Sequence, residues 1–396
     1  GDNGGTVPGN SRFTCQADTC GASHFILKAL QHSGGNAPVA AYAIQGYCPT
    51  CDAADAPYGG RFFDVCRTTG AYDAACVEWN ERADVDLCGF WPNADIPYGD
   101  RTHVKDPLPK HGFNKWSDLF NPRQKLVLAL LLKAIATPRS ERSQSATELV
   151  LGSFQQYLRN QNVFCFWDIG YDKLVPFMSN NNYNPKNTFV ENGVFSELGR
   201  GNWRTQYDNL MAALEWAASP YESVPKQRIA SVHPVLAHAI SGKSEKVYCG
   251  DPLTHQESLA CLSASEQLTC GTSTQLETIP GGSFDAVITD PPFGGILQYA
   301  ELADFFYVWL RLVLKDTYPE HFGPEHTPKA LEAVANTARH PGSAADDGRT
   351  PADAFYQRLL TECWREAGRI LKHGGTLAFT FHHNEDKAWV SVLESL

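Results

Sequence analysis

The apolar positions of this chain change their spacing about two thirds of the way along. Before residue 245 the clear periodic runs are helical. Gln124 to Ala136 and Ala146 to Leu158 carry apolar residues three or four apart, and Tyr207 to Ala217 repeats the pattern up to Ser219-Pro220. Asn121 is placed to cap the first run, Pro122 suits its opening turn, and Pro138 stops it. Asn162 to Ile169 has the aromatic density of a strand. Residues 61 to about 115 are rich in Pro, Gly, Asp and aromatics with few periodic runs, which predicts irregular structure packed on a neighbour. Residues 179–187 read as an exposed loop.

From about residue 245, strand-like and helix-like runs alternate. Lys246 to Cys249 and Gln267 to Cys270 are short strand candidates, and Phe284 to Thr289 is the strongest strand in the chain. Helical runs follow at 300–314 and 352–371. His373-Gly374-Gly375 is a helix stop, and Thr376 to His382 reads as a second buried strand. The alternation predicts an α/β sheet with parallel strands. Residues 315–350, polar and rich in Pro, Gly and His, are long enough to form a functional loop or lid.

With 396 residues, 43% of them hydrophobic, the chain can bury the cores of two or three domains. Its most apolar stretch, Leu126 to Ile135, is too short to span a bilayer and is interrupted by Lys133. No charged-then-apolar signal pattern opens the sequence. The expectation is a soluble, cytoplasmic protein with no membrane partner. A net charge of −11 argues against coating nucleic acid by bulk electrostatics. The charge is uneven, however: between Arg101 and Arg142 nine Lys or Arg face three acids. Either a solvated face or a binding surface explains that run. A second basic spot contains Arg200, Asn202 and Arg204, candidates for nucleic-acid contact.

Twelve cysteines in a chain of this length do not read as a disulfide scaffold, and Cys165 sits in an apolar run as a core thiol. Two pairs stand out. Cys15-x4-Cys20 and Cys48-x2-Cys51 are 27 residues apart, a spacing at which two short hairpins can converge four thiolates on one structural zinc. His24 is a substitute ligand, and unpaired thiols in a loop-rich segment are the competing reading.

The strand ending at Thr289 delivers Asp290-Pro291-Pro292-Phe293 to its carboxyl end, the edge where open α/β sheets bind ligands. An exocyclic base amine is a poor nucleophile because its lone pair is delocalised into the ring. A carboxylate and a fixed carbonyl can accept its two N–H bonds and favour a pyramidal nitrogen. Two prolines preset the carbonyl direction. An aromatic ring gives a flipped base a stacking face, worth ~1–3 kcal/mol. The plain alternative is a Pro-Pro turn after a core strand with Phe293 buried.

Phe284 to Phe293, with Tyr299-Ala300-Glu301-Leu302-Ala303-Asp304-Phe305-Phe306-Tyr307-Val308-Trp309-Leu310, resembles the catalytic region of the large zinc-ribbon-containing adenine-specific DNA methylases, often found in phage-defence loci. Ile96-Pro97-Tyr98-Gly99, Phe120-Asn121-Pro122-Arg123-Gln124 and Leu198-Gly199-Arg200-Gly201-Asn202-Trp203 extend the similarity, which runs from about 15 to 396. The resemblance implies a partial Rossmann-like S-adenosylmethionine-dependent methyltransferase sheet over 245–396. It also implies an inserted zinc ribbon over 11–60 and a mainly helical, DNA-contacting middle region over 61–244. It implies roles for Asp290 and the Pro291 carbonyl in holding the target amine and for Phe293 in stacking on the base, while Pro292 helps Pro291 hold the chain extended. Gly271 and Thr272 fall where relatives touch the cofactor's adenine. His382 and His383 fall beside the base pocket, where a solvent-exposed pair at a strand end is the stronger reading and substrate contact the other.

One departure matters. The Gly-rich loop and acidic residue that grip the cofactor in this family have no counterpart, since Gly34-Gly35 and Gly59-Gly60 follow no strand. The expectation is that the loop precedes Gly1 and that this chain is a fragment, poorly active alone. The expected function is adenine N6 methylation of DNA. Cytosine N4 or RNA base methylation is the alternative chemistry. A non-catalytic nucleic-acid-binding subunit of a defence complex is the alternative class.

Overall fold

The computed structural model describes residues 12–15, 17–33, 39–56, 58–137, 143–179, 182–185, 188–195, 200–225, 244–248 and 270–396. Its elements in chain order are β1 (Arg12–Thr14), β2 (Ser23–Phe25), α1 (Ile26–Ser33), β3 (Ala43–Tyr47), α2 (Pro49–Ala53), β4 (Arg61–Val65), α3 (Gly70–Arg82), α4 (Pro122–Ala136), α5 (Gln144–Asn160), β5 (Phe166–Asp168) and β6 (Lys173–Val175). There follow α6 (Trp203–Ala218), β7 (Tyr221–Pro225), β8 (Ser244–Tyr248), β9 (Phe284–Thr289), α7 (Tyr299–Leu314), α8 (Pro319–Phe322), α9 (Pro351–Ile370), β10 (Leu371–Phe379) and α10 (Asp386–Ser395). The protein is a mixed helix and strand structure with small sheets. No helix among the described residues is long and apolar enough to cross a membrane.

Two compact units are present. One comprises Gly1–Asn202 with Gly271–Leu396, and the other Trp203–Cys270. In the second unit β7 and β8 pair antiparallel, and the Trp216 indole donates to the Tyr221 carbonyl at 3.0 Å. The strand expected at Gln267 to Cys270 lies almost wholly outside the described residues.

In the first unit the helices form for reasons visible in the sequence. At the start of α4 the Asn121 side chain accepts from the Gln124 N–H (2.9 Å), and Gln124 Oε1 accepts from the Asn121 N–H (3.0 Å). Leu126 and Ala129 of α4 pack against Trp79, Ala83 and Leu87 of and beyond α3. Helix α3 falls in the stretch expected to be irregular. Its apolar residues are dispersed around the helix instead of forming a stripe, and Trp79 is its buried anchor.

An aromatic core joins this middle region to α7. Phe305 stacks on Phe120 with centroids 5.6 Å apart and meets Phe177 edge-on at 4.7 Å. Trp309 receives Phe120 at 5.2 Å and Phe154 at 5.8 Å. Phe305, Trp309, Phe154 and Tyr183 are all fully buried, and each such side chain contributes roughly 1.5–3 kcal/mol. This core fixes α7, which begins at Tyr299 after the short loop that follows the Asp-Pro-Pro-Phe segment.

Strands β9 and β10 pair in parallel, with Val287 beside Leu377 and Thr289 beside Phe379. Parallel pairing requires a long return, here the run from α7 to α9. Leu377 and Phe379 pack on Tyr356, Leu360, Trp364 and Val392 of α9 and α10. The two strands were expected to be buried, and the structure corrects this. Phe284 is 45% and Ile288 82% exposed, because helices cover only one face of the pair among the described residues. His373-Gly374-Gly375 is also not the helix stop. Helix α9 ends at Ile370, and the two glycines lie inside β10 at a register shift between Leu371 and Thr376.

Within 315–350, the part from Thr327 to Arg339 is fastened down, while residues 341–348 are exposed. The Lys329 ammonium bonds the fully buried Asp304 of α7, whose Oδ1 also accepts from the Thr327 N–H at 2.9 Å. Arg339 pairs with Glu332 at 2.8 Å, and Val334 and Asn336 are fully buried.

Candidate functional site

Asp290-Pro291-Pro292-Phe293 lies immediately after β9, at the carboxyl end of the parallel pair. Pro291 is buried, Pro292 and Phe293 are half-buried, and Asp290 is exposed. The Tyr356 hydroxyl donates to the Pro292 carbonyl at 2.6 Å. Among the described residues nothing donates to the Pro291 carbonyl. Asp290 Oδ1 accepts from the Thr380 hydroxyl, and Thr380 donates its backbone N–H to the Thr289 carbonyl at 3.2 Å. Burial first and the nearby Asp290 carboxylate second raise the Tyr299 phenol above its ordinary range. Phe293 meets Phe381 edge-on at 5.4 Å, and Phe381 meets Trp389 at 4.9 Å. His382 is exposed, whereas His383 is half-buried and Trp389 donates to its carbonyl at 3.0 Å. A Cβ on Gly294 would lie 3.4 Å from His383 Nε2, so His383 reaches the segment just after the motif.

The loop after the motif is held by a buried carboxylate that sequence reasoning passed over. Glu301, 1% exposed, accepts from the N–H groups of Asp100 (3.0 Å) and Arg101 (2.7 Å) and from Asn336 Nδ2 (2.6 Å). Asn336 Nδ2 also donates to Gln298 Oε1 at 2.7 Å, and the Arg101 guanidinium donates to the Ile296 carbonyl at 3.2 Å. Gly99 is required by close approach, since a Cβ there would sit 2.6 Å from the Glu301 carboxyl carbon. Burial pushes the neighbouring His103 imidazole below its ordinary range, with Glu301 pulling the other way. An acid in the first turn of a strongly apolar helix was the available signal for Glu301. For Thr380 and Tyr356 there was none, because only the fold brings them to the motif.

Gly271 and Thr272 are not brought to the motif by any bond. The Thr272 and Thr274 hydroxyls bond each other at 2.8 Å. The segment that follows is tied by Arg369 to the Leu276 and Ile279 carbonyls, both at 2.9 Å. Arg369 ends α9 beside the amino-terminal end of β9, the edge opposite Asp290.

Cys48 and Cys51 come together at the end of the β3–β4 hairpin, where Cys48 N–H donates to the Gly60 carbonyl at 2.8 Å. The Cys51 backbone N–H and then its thiol, both directed at Cys48, pull the Cys48 thiol below its ordinary range, while Cys51 is raised by the same contact. Cys15 and Cys20 flank the β1–β2 turn, and His24 lies against Phe13 with ring centroids 5.4 Å apart. Among the described residues no three His, Cys, Asp or Glu side chains gather as a metal-holding group. Cys48 and Cys51 are in contact with each other. Every described cysteine is a free thiol, and burial raises the core thiol Cys165 to about 11.

Much of the basic run is engaged internally. Lys105 pairs with Asp100 (2.9 Å), Arg123 with Glu191 (2.7 Å) and Lys133 with Asp86 (2.8 Å). Lys125 is desolvated above the Trp79 ring, 5.2 Å from its centroid, and burial lowers its ordinary pKa. Arg139 and Arg142 lie outside the described residues. At the second basic spot Arg200 is exposed, Arg204 pairs with Asp208 at 3.0 Å, and Asn202 is buried at 1% exposure. Gly201 has φ +75° and sits where a Cβ would fall 2.2 Å from Asn160 Oδ1. That turn is therefore structurally constrained, while Arg200 and Arg204 both face solvent.

Comparison with protein-family models, with curated proteins and with solved structures finds no match for this chain.

Proposed function

We propose that this chain carries the amine-binding part of an S-adenosylmethionine-dependent DNA amino-methyltransferase acting on adenine N6. The observation that carries the reading is the division of acceptors in the motif. Tyr356 occupies the Pro292 carbonyl, while among the described residues the Pro291 carbonyl and one oxygen of Asp290 stay open. Those two acceptors are what an exocyclic amine with two N–H bonds needs. Phe293 supplies an aromatic ring next to them. S-adenosylmethionine supplies the methyl group when bound. Asp290, Pro291 and Phe293 account for the amine side, and Gly271 and Thr272 stay the proposed contacts to the cofactor's adenine.

Orientation is the rate contribution these residues make. Two fixed acceptors hold the nitrogen lone pair in one direction, which turns a bimolecular encounter into a positioned one. Unstacking a base costs a few kcal/mol, offset in part by stacking on an aromatic face.

The test is transfer of labelled methyl from S-adenosylmethionine to genomic DNA by the protein and by Asp290→Ala, with base analysis of the product. Label in N6-methyladenine, lost in Asp290→Ala with DNA binding retained, is the expected result. Label in N4-methylcytosine would move the substrate to cytosine, and transfer that survives intact in Asp290→Ala would end the enzyme reading. The exposed Arg200 favours a second reading as a nucleic-acid-binding subunit of a defence complex. In that case Asp290→Ala is silent and Arg200→Ala is not. We further propose that Cys15, Cys20, Cys48 and Cys51 take up structural zinc, supported by the preformed Cys48/Cys51 pair.

A further inference from the structure

We infer that Thr380 is a positioning residue for Asp290, a role that rests on the amine-binding reading of the motif. The parallel register sets Phe379 beside Thr289, so the next residue of each strand, Thr380 and Asp290, emerge side by side at the carboxyl edge. Two bonds hold Thr380 there: its N–H to the Thr289 carbonyl at 3.2 Å, and its hydroxyl to Asp290 Oδ1. A carboxylate can only accept, so the hydroxyl donates. Thr380 is the one hydrogen-bond partner that the Asp290 carboxylate has among the described residues.

Asp290 is exposed, and a carboxylate with only water around it samples several rotamers. The Thr380 bond selects one of them. It satisfies Oδ1 and leaves Oδ2 to accept the target N–H. The β-branch of threonine limits its own χ1, so the donor is itself held. The two residues are 90 positions apart in sequence, which is why no local motif reveals the pair.

The experiment uses the full chain with labelled S-adenosylmethionine and genomic DNA, and compares Thr380→Val, Thr380→Ser and Asp290→Ala. Thr380→Val keeps the branched shape and removes the donor. Its kcat should fall about tenfold to a hundredfold, the loss expected for a hydrogen bond to a charged group, while KM for DNA stays within about twofold. Thr380→Ser should recover most of that loss. As a readout independent of turnover, saturation-transfer NMR should show deoxyadenosine preferred over purine deoxyriboside, which lacks the amine. That preference should weaken in Thr380→Val and return in Thr380→Ser. A parental kcat in Thr380→Val, or a fall that serine does not restore, overturns the positioning role and leaves the amine-binding reading standing. Loss of neither activity nor preference in Asp290→Ala removes that reading and the role of Thr380 with it; where the parent transfers no methyl group, absence of the deoxyadenosine preference in the parent does the same.

Discussion

The Tyr356 hydroxyl, on the buried face of α9, reaches across the chain to donate to the Pro292 carbonyl at 2.6 Å. Helix and motif are 64 residues apart, and this bond locks the second proline of the motif against the helix that returns the chain to β10. It also removes one carbonyl from the set open to a ligand, which makes the motif directional.

Tyr356→Phe should therefore cost about 1 kcal/mol in a urea titration, the worth of one neutral hydrogen bond whose acceptor keeps a second donor in the Gly294 N–H at 3.2 Å. If the variant unfolds at the parental midpoint, the Tyr356 bond does not hold the motif.

Burial raises the phenols of Tyr356 and Tyr72 to about 12 and pushes Tyr157 and Tyr183 higher still. Each folded-state value lies above the ordinary value of 10, so the folded protein holds these protons more tightly than the unfolded chain. Their contribution is fully present below pH 10 and is lost as pH rises toward 12. Denaturation midpoints measured from pH 8 upward should stay level as far as tyrosine is concerned and then drop through that window. Tyr356→Phe should drop less steeply than the parent.

Glu301 holds the loop after the motif through three donors, two of them backbone N–H groups. Glu301→Ala leaves the Asp100 and Arg101 N–H groups without that acceptor and Asn336 with Gln298 alone, at ~1–3 kcal/mol for each donor left unsatisfied. It should destabilise by more than 3 kcal/mol on that order-of-magnitude basis. Gly99→Ala should also destabilise, since its Cβ collides with the Glu301 carboxylate. In the double variant the smaller side chain at 301 removes the collision, and a thermodynamic cycle on Gly99→Ala, Glu301→Ala and both together should show clear non-additivity.

Arg200 and Asn202 should behave differently although they are two residues apart. Arg200→Ala, at an exposed position, should change stability by less than about 0.5 kcal/mol. If this surface meets DNA, it should lower the slope of log affinity against log salt by about one. Asn202→Ala, at a buried position, should destabilise by ~1–3 kcal/mol. Parental salt dependence in Arg200→Ala would exclude a phosphate contact there.

Metal analysis of the purified protein should find one zinc per chain if the four cysteines act together. Cys48→Ser and Cys15→Ser should each lower that content, and a chelator should unfold the hairpins. Zinc lost with Cys48→Ser but kept with Cys15→Ser would restrict the site to the knuckle at Cys48 and Cys51.

Much of the fold could be read along the chain. The cap at Asn121, the helices over 122–136 and 144–160, the strand at Phe284–Thr289 and the parallel sense of its pairing all follow from local chemistry and spacing. These are properties of short segments, where caps, periodicity and proline act within a few residues. What the sequence did not reveal depends on pairs far apart in the chain. Thr380 meets Asp290 only through the register of a parallel pair, and Tyr356 meets Pro292 only because α9 packs under it. Glu301 finds Asp100, Arg101 and Asn336 across more than 30 residues in one direction and 200 in the other. Burial likewise belonged to the tertiary structure. Ile288 sits in the most apolar strand and is 82% exposed, because hydrophobicity records what a residue favours and packing decides whether a neighbour covers it.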